Sequence, residues 1–237
     1  MRKAFVVKNL WDYEEVNPIP ERLPQDMDTF YITDSYINCY LAGDQGWHNA
    51  ICVRDYLNIT DKLQRRSLIG AINCYPERFC PELNEYDKVF VCDSNILILP
   101  STYKDFIDQS EDQACYLTSG YYKGTEDNIF QELSRSVNSR WNYNGDAMVK
   151  ATEEYLKEMV LLDIDYKRIS VSSAKYIGWN LRNPKRKQIA DFVLQEYQKH
   201  LQGNIIFTFV SAKWEDDVLN FQNLSDDVSF SPHKYTA

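Results

Sequence analysis

Short runs of apolar residues recur along the chain, and stretches with helical spacing separate them. Runs rich in Val, Ile, Phe and Tyr predict five strands, over 4–7, 29–33, 88–92, 114–117 and 205–210. The run over 89–92 is apolar at every position, which is typical of a strand buried on both faces of its sheet. Strands that alternate with helices predict an α/β fold in which helices cover both faces of the sheet.

Four helices are predicted between these strands, because apolar residues recur there every three or four positions. Asn183 and Pro184 predict the start of one helix, since Asn is a common N-cap and Pro a common first residue, and its pattern ends at Gly203. Thr125 is the predicted N-cap of another helix, whose inner face would carry Ile129, Phe130, Leu133 and Val137. The remaining two helices are predicted over 60–71 and 146–160.

The length of 237 residues fits a single domain over 1–237. Prolines at 18, 20 and 24 exclude a regular helix or central strand there, because proline lacks the amide donor and fixes φ. We expect an extended loop in that region. The polar segment 214–237 is predicted to be an irregular C-terminal tail that wraps the domain or closes its site.

The charge balance is acidic, with 35 Asp and Glu against 26 Lys and Arg and a formal net charge of −9. This excludes nucleic acid as a general partner, because phosphate binding draws on clustered Lys and Arg. Neither a signal peptide nor a membrane-spanning apolar run is recognisable, so we expect a soluble, cytoplasmic protein. The six cysteines form no CxxC pair, which favours reduced thiols over a zinc site or a disulfide framework.

The triplet Asp93-Ser94-Asn95 directly follows the predicted buried strand. Residues two apart on an extended chain project to the same side, so the Asp93 carboxylate and the Asn95 amide oxygen would suit a hard cation such as Mg²⁺ or Mn²⁺. Open α/β sheets commonly bind ligands beyond the carboxyl ends of their strands. Such triplets are also common in turns, and the pattern alone leaves a simple turn as the alternative.

Several blocks around this triplet resemble a group of small glycosyltransferases with the GT-A fold, found in capsule, plant cell-wall and large-DNA-virus glycan pathways. The blocks are Arg65-Arg66, the Pro-containing segment 73–83, and the segment 85–98, whose Asp-x-Asn-Ile is a variant of the Asp-x-Asp metal motif. The specific part is Tyr86–Ile98. Looser similarity in order and spacing covers about 29–213, including Gly46-Trp47, 176–182, the helix after Pro184 and the strand predicted at 205–210.

The resemblance implies a GT-A-like, Rossmann-type domain with a mixed, mostly parallel sheet flanked by helices. It implies transfer of a hexose or pentose from a nucleotide diphosphate sugar, with a uridine donor expected, to a hydroxyl of a glycan or glycoprotein. Asp93 and Asn95 would hold Mn²⁺ or Mg²⁺, and Ser94 would lie beside the donor. His233 and Lys234 are similar to a C-terminal His and Lys of several GT-A enzymes, which implies a third metal ligand and a diphosphate contact.

Other candidate contacts to the donor lie on the predicted strands and helices. Asp34 ends a predicted strand and would hydrogen-bond a base or ribose, with a turn aspartate as the alternative. Arg65 and Arg66 would meet the diphosphate through their guanidinium groups, unless they form a solvated helix face. Trp47 and Trp179 are candidate platforms for a sugar ring, with packing in the core as the alternative.

The general base is the least defined part of the predicted site. Asp127 and Glu132 lie on or near the helix predicted after Thr125, where a carboxylate would take the acceptor proton or simply favour the helix start through its dipole. Members of the group often carry an Asp-Gln pair at the opening of the closing block. This chain has Asn204-Ile205 there, so the catalytic roles of that pair are not carried over.

Other function classes compete with the transferase hypothesis. A degenerate sugar-nucleotide-binding domain would keep the fold without turnover, and the missing Asp-Gln pair leaves it open. A sugar nucleotidyltransferase would require a Gly-rich basic loop near the N-terminus, and residues 8–11 do not provide one. A phosphohydrolase with Asp93 as nucleophile would want a second Asp and a Thr, where Asn95 and Leu97 stand. An acidic interaction module would bind no nucleotide.

Overall fold

The computed structural model describes residues 1–10, 16–17, 19, 27–47, 49–54, 62–94, 96–98, 112–119, 128–138, 144–166, 169–200, 202–221 and 228–230. The strands in these ranges are β1 (Lys3–Asn9), β2 (Met27–Thr33), β3 (Asn49–Cys52), β4 (Lys88–Asp93), β5 (Ile96–Ile98), β6 (Cys115–Ser119), β7 (Ser172–Asn180), β8 (Val218–Phe221) and β9 (Val228–Phe230). The α-helices are α1 (Tyr36–Asp44), α2 (Lys62–Cys74), α3 (Ile129–Val137), α4 (Gly145–Leu161), α5 (Arg186–His200) and α6 (Gly203–Lys213).

Seven of these strands form one twisted sheet in the order β3-β2-β1-β4-β7-β6-β8. The first four are parallel to one another, and β7 runs antiparallel to both β4 and β6. Strand β8 extends the far edge parallel to β6, while β5 and β9 form a separate antiparallel pair. The protein is therefore a single α/β domain with a mixed, mostly parallel sheet, as the sequence predicts.

Alternate residues of the central strands pack on opposite faces of the sheet. Aromatic residues from five strands form one face together with Trp47 and Ala42 of α1: Phe5, Tyr31, Phe90, Tyr116 and Tyr176. On the other face β1 and β4 pack against α2, and β6 and β7 pack against α5 and α6. Helices thus contact both faces, which accounts for the continuously apolar central strands.

Gly178 allows two aromatic rings to meet across the sheet. It pairs with Phe90 of β4 on one side and with Tyr116 of β6 on the other, and those two rings stack with centroids 6.1 Å apart. A Cβ atom on Gly178 would come within 2.8 Å of both rings. The glycine is needed here for close approach, since even one methyl group has no space between the rings.

Most of the predicted elements are confirmed, with their bounds shifted by a few residues. Strands β1, β2, β4 and β6 lie where the apolar runs predict them, and α2 and α4 match the predicted helices. The Asn183 side chain accepts the backbone N–H of Lys185 at 2.8 Å, just before α5 begins at Arg186. The helix start predicted at Asn183 and Pro184 is therefore confirmed in kind and lies two residues further on.

The strand predicted over 205–210 is wrong, because this segment forms the middle of α6. All six residues are buried, including Thr208. A helix that is apolar on every side shows no helical period in its sequence. The pattern of a short apolar run therefore does not distinguish a buried helix from a buried strand. Sequence reasoning also missed α1, β3, β5 and β7, and the segment predicted as an irregular tail contains β8 and β9.

The start of α3 also differs from the prediction. Thr125 lies outside the described residues, and the N-cap is Asn128, whose side chain accepts the backbone N–H groups of Phe130 and Gln131 at 3.1 Å each. Gln131 completes a capping box by accepting the Asn128 N–H. Phe130 is 47% exposed rather than on the inner face, because the buried side of α3 carries Ile129, Glu132 and Ser136 and Phe130 lies on another side of the helix.

Candidate functional site

The carboxyl ends of β1, β2 and β4 meet at one edge of the sheet. Lys8 pairs with Asp93 in the β1–β4 register, and Asn9 pairs with Thr33 in the β1–β2 register. The polar residues at this edge are nearly all buried: Lys8, Asn9, Thr33, Asp34, Ser35 and Ser94. Ligands of open α/β sheets bind outside the carboxyl ends of parallel strands, so this edge is the candidate site.

Asp93 is the last residue of β4 and forms an ion pair with Lys8. The Lys8 Nζ atom lies 2.5 Å from Asp93 Oδ1, and the two side chains are 3% and 33% exposed respectively. Within the described part of the chain the ammonium makes no well-directed hydrogen bond, so this ion pair provides its electrostatic compensation. A buried cation therefore holds one oxygen of a carboxylate that remains partly open to solvent.

The backbone after Asp93 is fixed by contacts from two other segments. Ser94 donates its N–H to the Lys8 carbonyl oxygen at 3.1 Å, and its own carbonyl oxygen accepts the Asn17 side-chain amide at 3.0 Å. The Asn17 carbonyl oxygen in turn accepts the Trp47 indole N–H at 2.7 Å. The predicted donor-binding residue Ser94 thus lies at the edge, and these contacts hold it in place.

Asp34 lies at the same edge, immediately after β2. Its neighbour Ser35 is the N-cap of α1 and accepts the backbone N–H of Asn38 through its side chain at 3.3 Å. Asn9, at the end of β1, donates its side-chain amide to the Tyr31 hydroxyl at 2.7 Å. The structure therefore brings Asp34 to the same edge as Asp93 and Ser94, at the ends of β2 and β4 on either side of β1, although Asp34 is far from the other two in the sequence.

Other predicted site residues cannot be placed at this edge. Asn95, Asp127, His233 and Lys234 lie outside the described residues. Arg65 and Arg66 lie in α2, and only their backbone is described. The roles predicted for these residues stay predictions.

The chemistry of Asp93 fits a divalent cation. Its carboxylate is a hard oxygen donor of the kind that Mg²⁺ and Mn²⁺ prefer, and it is partly exposed at the sheet edge. In the residues that the structure describes, no three His, Cys, Asp or Glu side chains cluster as a ready-made metal site. The predicted ligands Asn95 and His233 would have to join Asp93 from segments outside those ranges.

Comparisons with known proteins bear on the fold. No protein-family model matches the chain, and no curated protein matches it in sequence. Among solved structures, the mannosyltransferase Ktr4p of S. cerevisiae superposes with a TM-score of 0.50 at 10% identity, over 98% of this chain and 70% of that one. The bifunctional glycosyltransferase WbbM gives a TM-score of 0.52 at 12% identity. This protein has the GT-A glycosyltransferase fold.

The extent of the overlap differs between these structures. The match to WbbM covers 92% of this chain and 38% of that protein, so the chain spans well under half of it. The apo form of mouse xyloside xylosyltransferase 1 superposes over 92% of this chain and 84% of that one, at 8% identity and a TM-score of 0.49. At these identities the likeness concerns the backbone, and it assigns no site residue of the GT-A domain.

Glu132 has a packing role in this GT-A domain. It is buried, and its carboxylate oxygens accept the Asn204 side-chain amide at 2.9 Å and the Arg135 guanidinium at 3.2 Å. The Ser136 hydroxyl is a third donor, at 3.3 Å. A general base needs an oxygen within reach of the acceptor hydroxyl, whereas these oxygens are turned toward α3 and α6. The arrangement therefore favours a packing role over the base role predicted for Glu132.

The sugar-platform role is wrong for both tryptophans. Trp179 is fully buried and donates its indole N–H to the Asn73 carbonyl oxygen at 2.6 Å. Trp47 is buried against the rings of Phe5 and Tyr31. Neither indole has a ring face open to a sugar, so both belong to the core, and Trp47 serves the edge indirectly through Asn17.

The Tyr-Pro-Glu-Arg segment of the resemblance is a structural cluster rather than part of the strand edge. The guanidinium of Arg186 lies 4.4 Å from the centre of the Tyr75 ring and 2.8 Å from a Glu77 carboxylate oxygen. The Tyr75 hydroxyl donates a hydrogen bond to Asp191. The pKa of Tyr75 is raised, mainly because the hydroxyl is buried and secondly because of this hydrogen bond. These contacts join the end of α2 to the start of α5.

Sequence reasoning missed two residues of the candidate site. Lys8 offered a partial signal, because it directly follows the apolar run 4–7 as Asp93 follows the run 88–92, but the pairing of these two strands was not predicted. Asn17 offered none, since its role depends on a contact with the carbonyl oxygen of Ser94, which is far away in the chain.

Proposed function

We propose that this protein is a glycosyltransferase that moves a sugar from a nucleotide diphosphate donor, with uridine as the favoured base, to a hydroxyl of a glycan or glycoprotein. One observation carries the proposal. In a GT-A fold, the partly exposed Asp93 carboxylate lies at the carboxyl end of the central strand β4, among buried polar residues from β1 and β2. That is the place where an open α/β sheet binds a nucleotide.

The proposed roles follow the chemistry of each residue. Asp93, with Asn95 and His233, would hold Mn²⁺ or Mg²⁺, and such an ion supplies positive charge toward a departing diphosphate. Asp34 would accept a hydrogen bond from the base or ribose at the end of β2. Lys234 and the arginines at 65 and 66 would contact diphosphate oxygens through charge-assisted hydrogen bonds.

Asp127 remains the proposed general base, because Glu132 is engaged in packing between α3 and α6. A base must take the proton of the attacking hydroxyl as the new glycosidic bond forms and the bond between the sugar and the diphosphate breaks. Substitution of Asp127 therefore belongs in the same kinetic experiment as substitution of Asp93.

The test is a panel of nucleotide sugars assayed for Mn²⁺-dependent release of the nucleotide, with glycan acceptors present and absent. We expect one donor to be turned over, and we expect Asp93→Asn to lower that rate by roughly a hundredfold to a thousandfold. Asp87→Asn is the matched control, because Asp87 precedes the opposite end of β4 and accepts from Arg2 and Arg182. Unchanged turnover in Asp93→Asn would overturn the proposal.

Calorimetry with UDP separates transfer from a binding domain without turnover. An active transferase predicts metal-linked binding together with turnover of at least one donor. Metal-linked binding with no turnover across the panel would indicate the degenerate domain. No binding of any nucleotide would leave the GT-A fold without its usual ligand and refute the proposed function.

A further inference from the structure

Lys8 is a buried cation in direct contact with the aspartate proposed to bind the metal. Lys8 and Asp93 are register partners in the parallel pair β1–β4, so the strand pairing brings their side chains to the same place on the sheet. The Nζ–Oδ1 distance is 2.5 Å, and the lysine side chain is 3% exposed. Two residues away on either side of Lys8, Val6 and Leu10 are apolar and buried, so the lysine stem lies in apolar surroundings.

The two ends of this ion pair differ in their access to solvent. Asp93 is 33% exposed, so water and ions reach its carboxylate from solvent, while the buried Lys8 approaches it from within the domain. An incoming divalent cation would therefore bind a carboxylate whose charge the ammonium already compensates. Two cations on one carboxylate repel each other, and the repulsion is strong where the surroundings are poorly solvated.

A nucleotide diphosphate changes this balance of charge. Its phosphate oxygens bring negative charge to the edge, which offsets the repulsion between the ammonium and the divalent cation. We propose that Lys8 is a positioning residue that holds one oxygen of Asp93 and weakens the binding of a divalent cation to the free protein, so that the cation enters together with the diphosphate. This inference rests on the proposed function and adds a binding order to it.

The experiment compares Mn²⁺ binding to the wild type and to Lys8→Met by calorimetry in the absence of nucleotide. Removing the ammonium is expected to tighten Mn²⁺ binding on the order of tenfold, since a unit charge beside the ion is lost. Lys8→Arg keeps the charge and is expected to bind Mn²⁺ as weakly as the wild type. Combining Lys8→Met with Asp93→Asn is expected to abolish the gain, which assigns it to Asp93.

If Lys8 had a merely structural role, Lys8→Met would lower the melting temperature and leave the affinity for Mn²⁺ unchanged. Methionine matches the length of lysine in an apolar strand, and Lys8→Gln is a second neutral variant should Lys8→Met fold poorly. Mn²⁺ binding to both neutral variants that is no tighter than to the wild type, including no binding at all, would overturn the inference. Tighter binding in either folded variant, lost again with Asp93→Asn, would support it.

A second measurement concerns the coupling between Mn²⁺ and UDP. In the wild type Mn²⁺ is expected to raise the affinity for UDP severalfold, and in Lys8→Met this ratio is expected to fall, because the metal no longer needs the diphosphate. Equal ratios in the two proteins would contradict the binding order. Failure of the nucleotide-sugar panel would refute the transferase proposal, while Mn²⁺ binding without nucleotide would still decide the role of Lys8.

Discussion

Charged side chains are buried both at the strand edge, where β1, β2 and β4 end around Asp93, and in the helical layer around Glu132. The two regions compensate those charges differently. In the layer formed by α3, α4, α5 and α6, each buried carboxylate has several donors. Glu132 accepts from three side chains, and Glu196 accepts the Tyr155 hydroxyl at 2.5 Å and the Lys199 ammonium at 2.6 Å. At the strand edge, one buried ammonium meets one carboxylate that stays partly open.

This difference separates packing from chemistry. A buried polar group with all its partners in place makes the native packing specific and has no capacity left for a ligand. A carboxylate with an exposed side can exchange solvent for a cation or a diphosphate complex. Both regions contain acidic residues that look alike in the sequence, and only their partners tell them apart.

The largest expected effect on stability comes from substitution of Gly178. This residue lies in β7, where the antiparallel strands join the parallel half of the sheet at β4. A methyl group there would press on the rings of Phe90 and Tyr116 at 2.8 Å. We expect Gly178→Ala to lower the free energy of unfolding by about 3 kcal/mol, measured by urea denaturation, because overpacked cores must shift side chains and backbone. If the parallel and antiparallel halves fold as one unit, the transition will stay single while its midpoint falls.

The control for Gly178→Ala is Gly43→Ala, since a Cβ on Gly43 of α1 would meet no atom within 4 Å. Alanine favours a helix over glycine, so this variant is expected to be as stable as the wild type or slightly more stable. Two separate unfolding transitions in Gly178→Ala would show that the parallel and antiparallel halves of the sheet unfold independently.

The next effect is the pH dependence contributed by His200 in the helical layer. His200 is buried, and burial lowers its pKa to about 4. Its Nδ1 accepts the backbone N–H of Gln202 at 3.3 Å and its Nε2 lies 3.1 Å from the Tyr155 hydroxyl, a pattern that suits the neutral ring. The unfolded chain, with an ordinary histidine pKa, therefore binds the proton at a higher pH than the folded chain does.

Protonation of the unfolded state makes the stability fall as the pH drops from about 6.5 toward 4. At pH 5 the loss from this one group is expected to be about 2 kcal/mol relative to pH 7. Urea denaturation of the wild type and of His200→Gln at both pH values isolates the effect, because other acidic groups titrate alike in the two proteins. Parallel pH profiles would show that His200 is not held neutral by burial.

The smallest expected effect is that of Glu132→Gln, which tests directly whether Glu132 serves packing while Asp93 serves the candidate site. Glu132→Gln keeps the shape and one acceptor oxygen but weakens the contacts to Arg135 and Asn204. We expect a loss of about 1 kcal/mol in the free energy of unfolding and a transfer rate within threefold of the wild type. A large fall in kcat with an unchanged unfolding free energy would instead give Glu132 a catalytic role.

Across the described ranges, no helix combines the length and the apolar character that crossing a bilayer requires. The exposed apolar side chains include Tyr40 of α1 and Leu161 at the end of α4.

Much of the fold could be predicted from the sequence because its central strands and amphipathic helices have clear patterns. The apolar run before Asp93 predicts β4 correctly, and the Asn-Pro signal predicts α5. The buried helix α6 could not be predicted, since an apolar run without a polar face carries no period. Strand β7 was missed as well, although its place between β4 and β6 makes it central to the sheet.

The candidate site divides in the same way. The sequence by itself determined that Asp34, Asp93 and Ser94 follow apolar runs, because strand periodicity and its end are local properties of the chain. Only the tertiary structure decided that Lys8 pairs with Asp93, that Asn17 reaches Ser94, and that Trp47 and Trp179 are buried in the core. Register, strand order and burial arise from contacts between residues far apart in the chain, and no local pattern contains them.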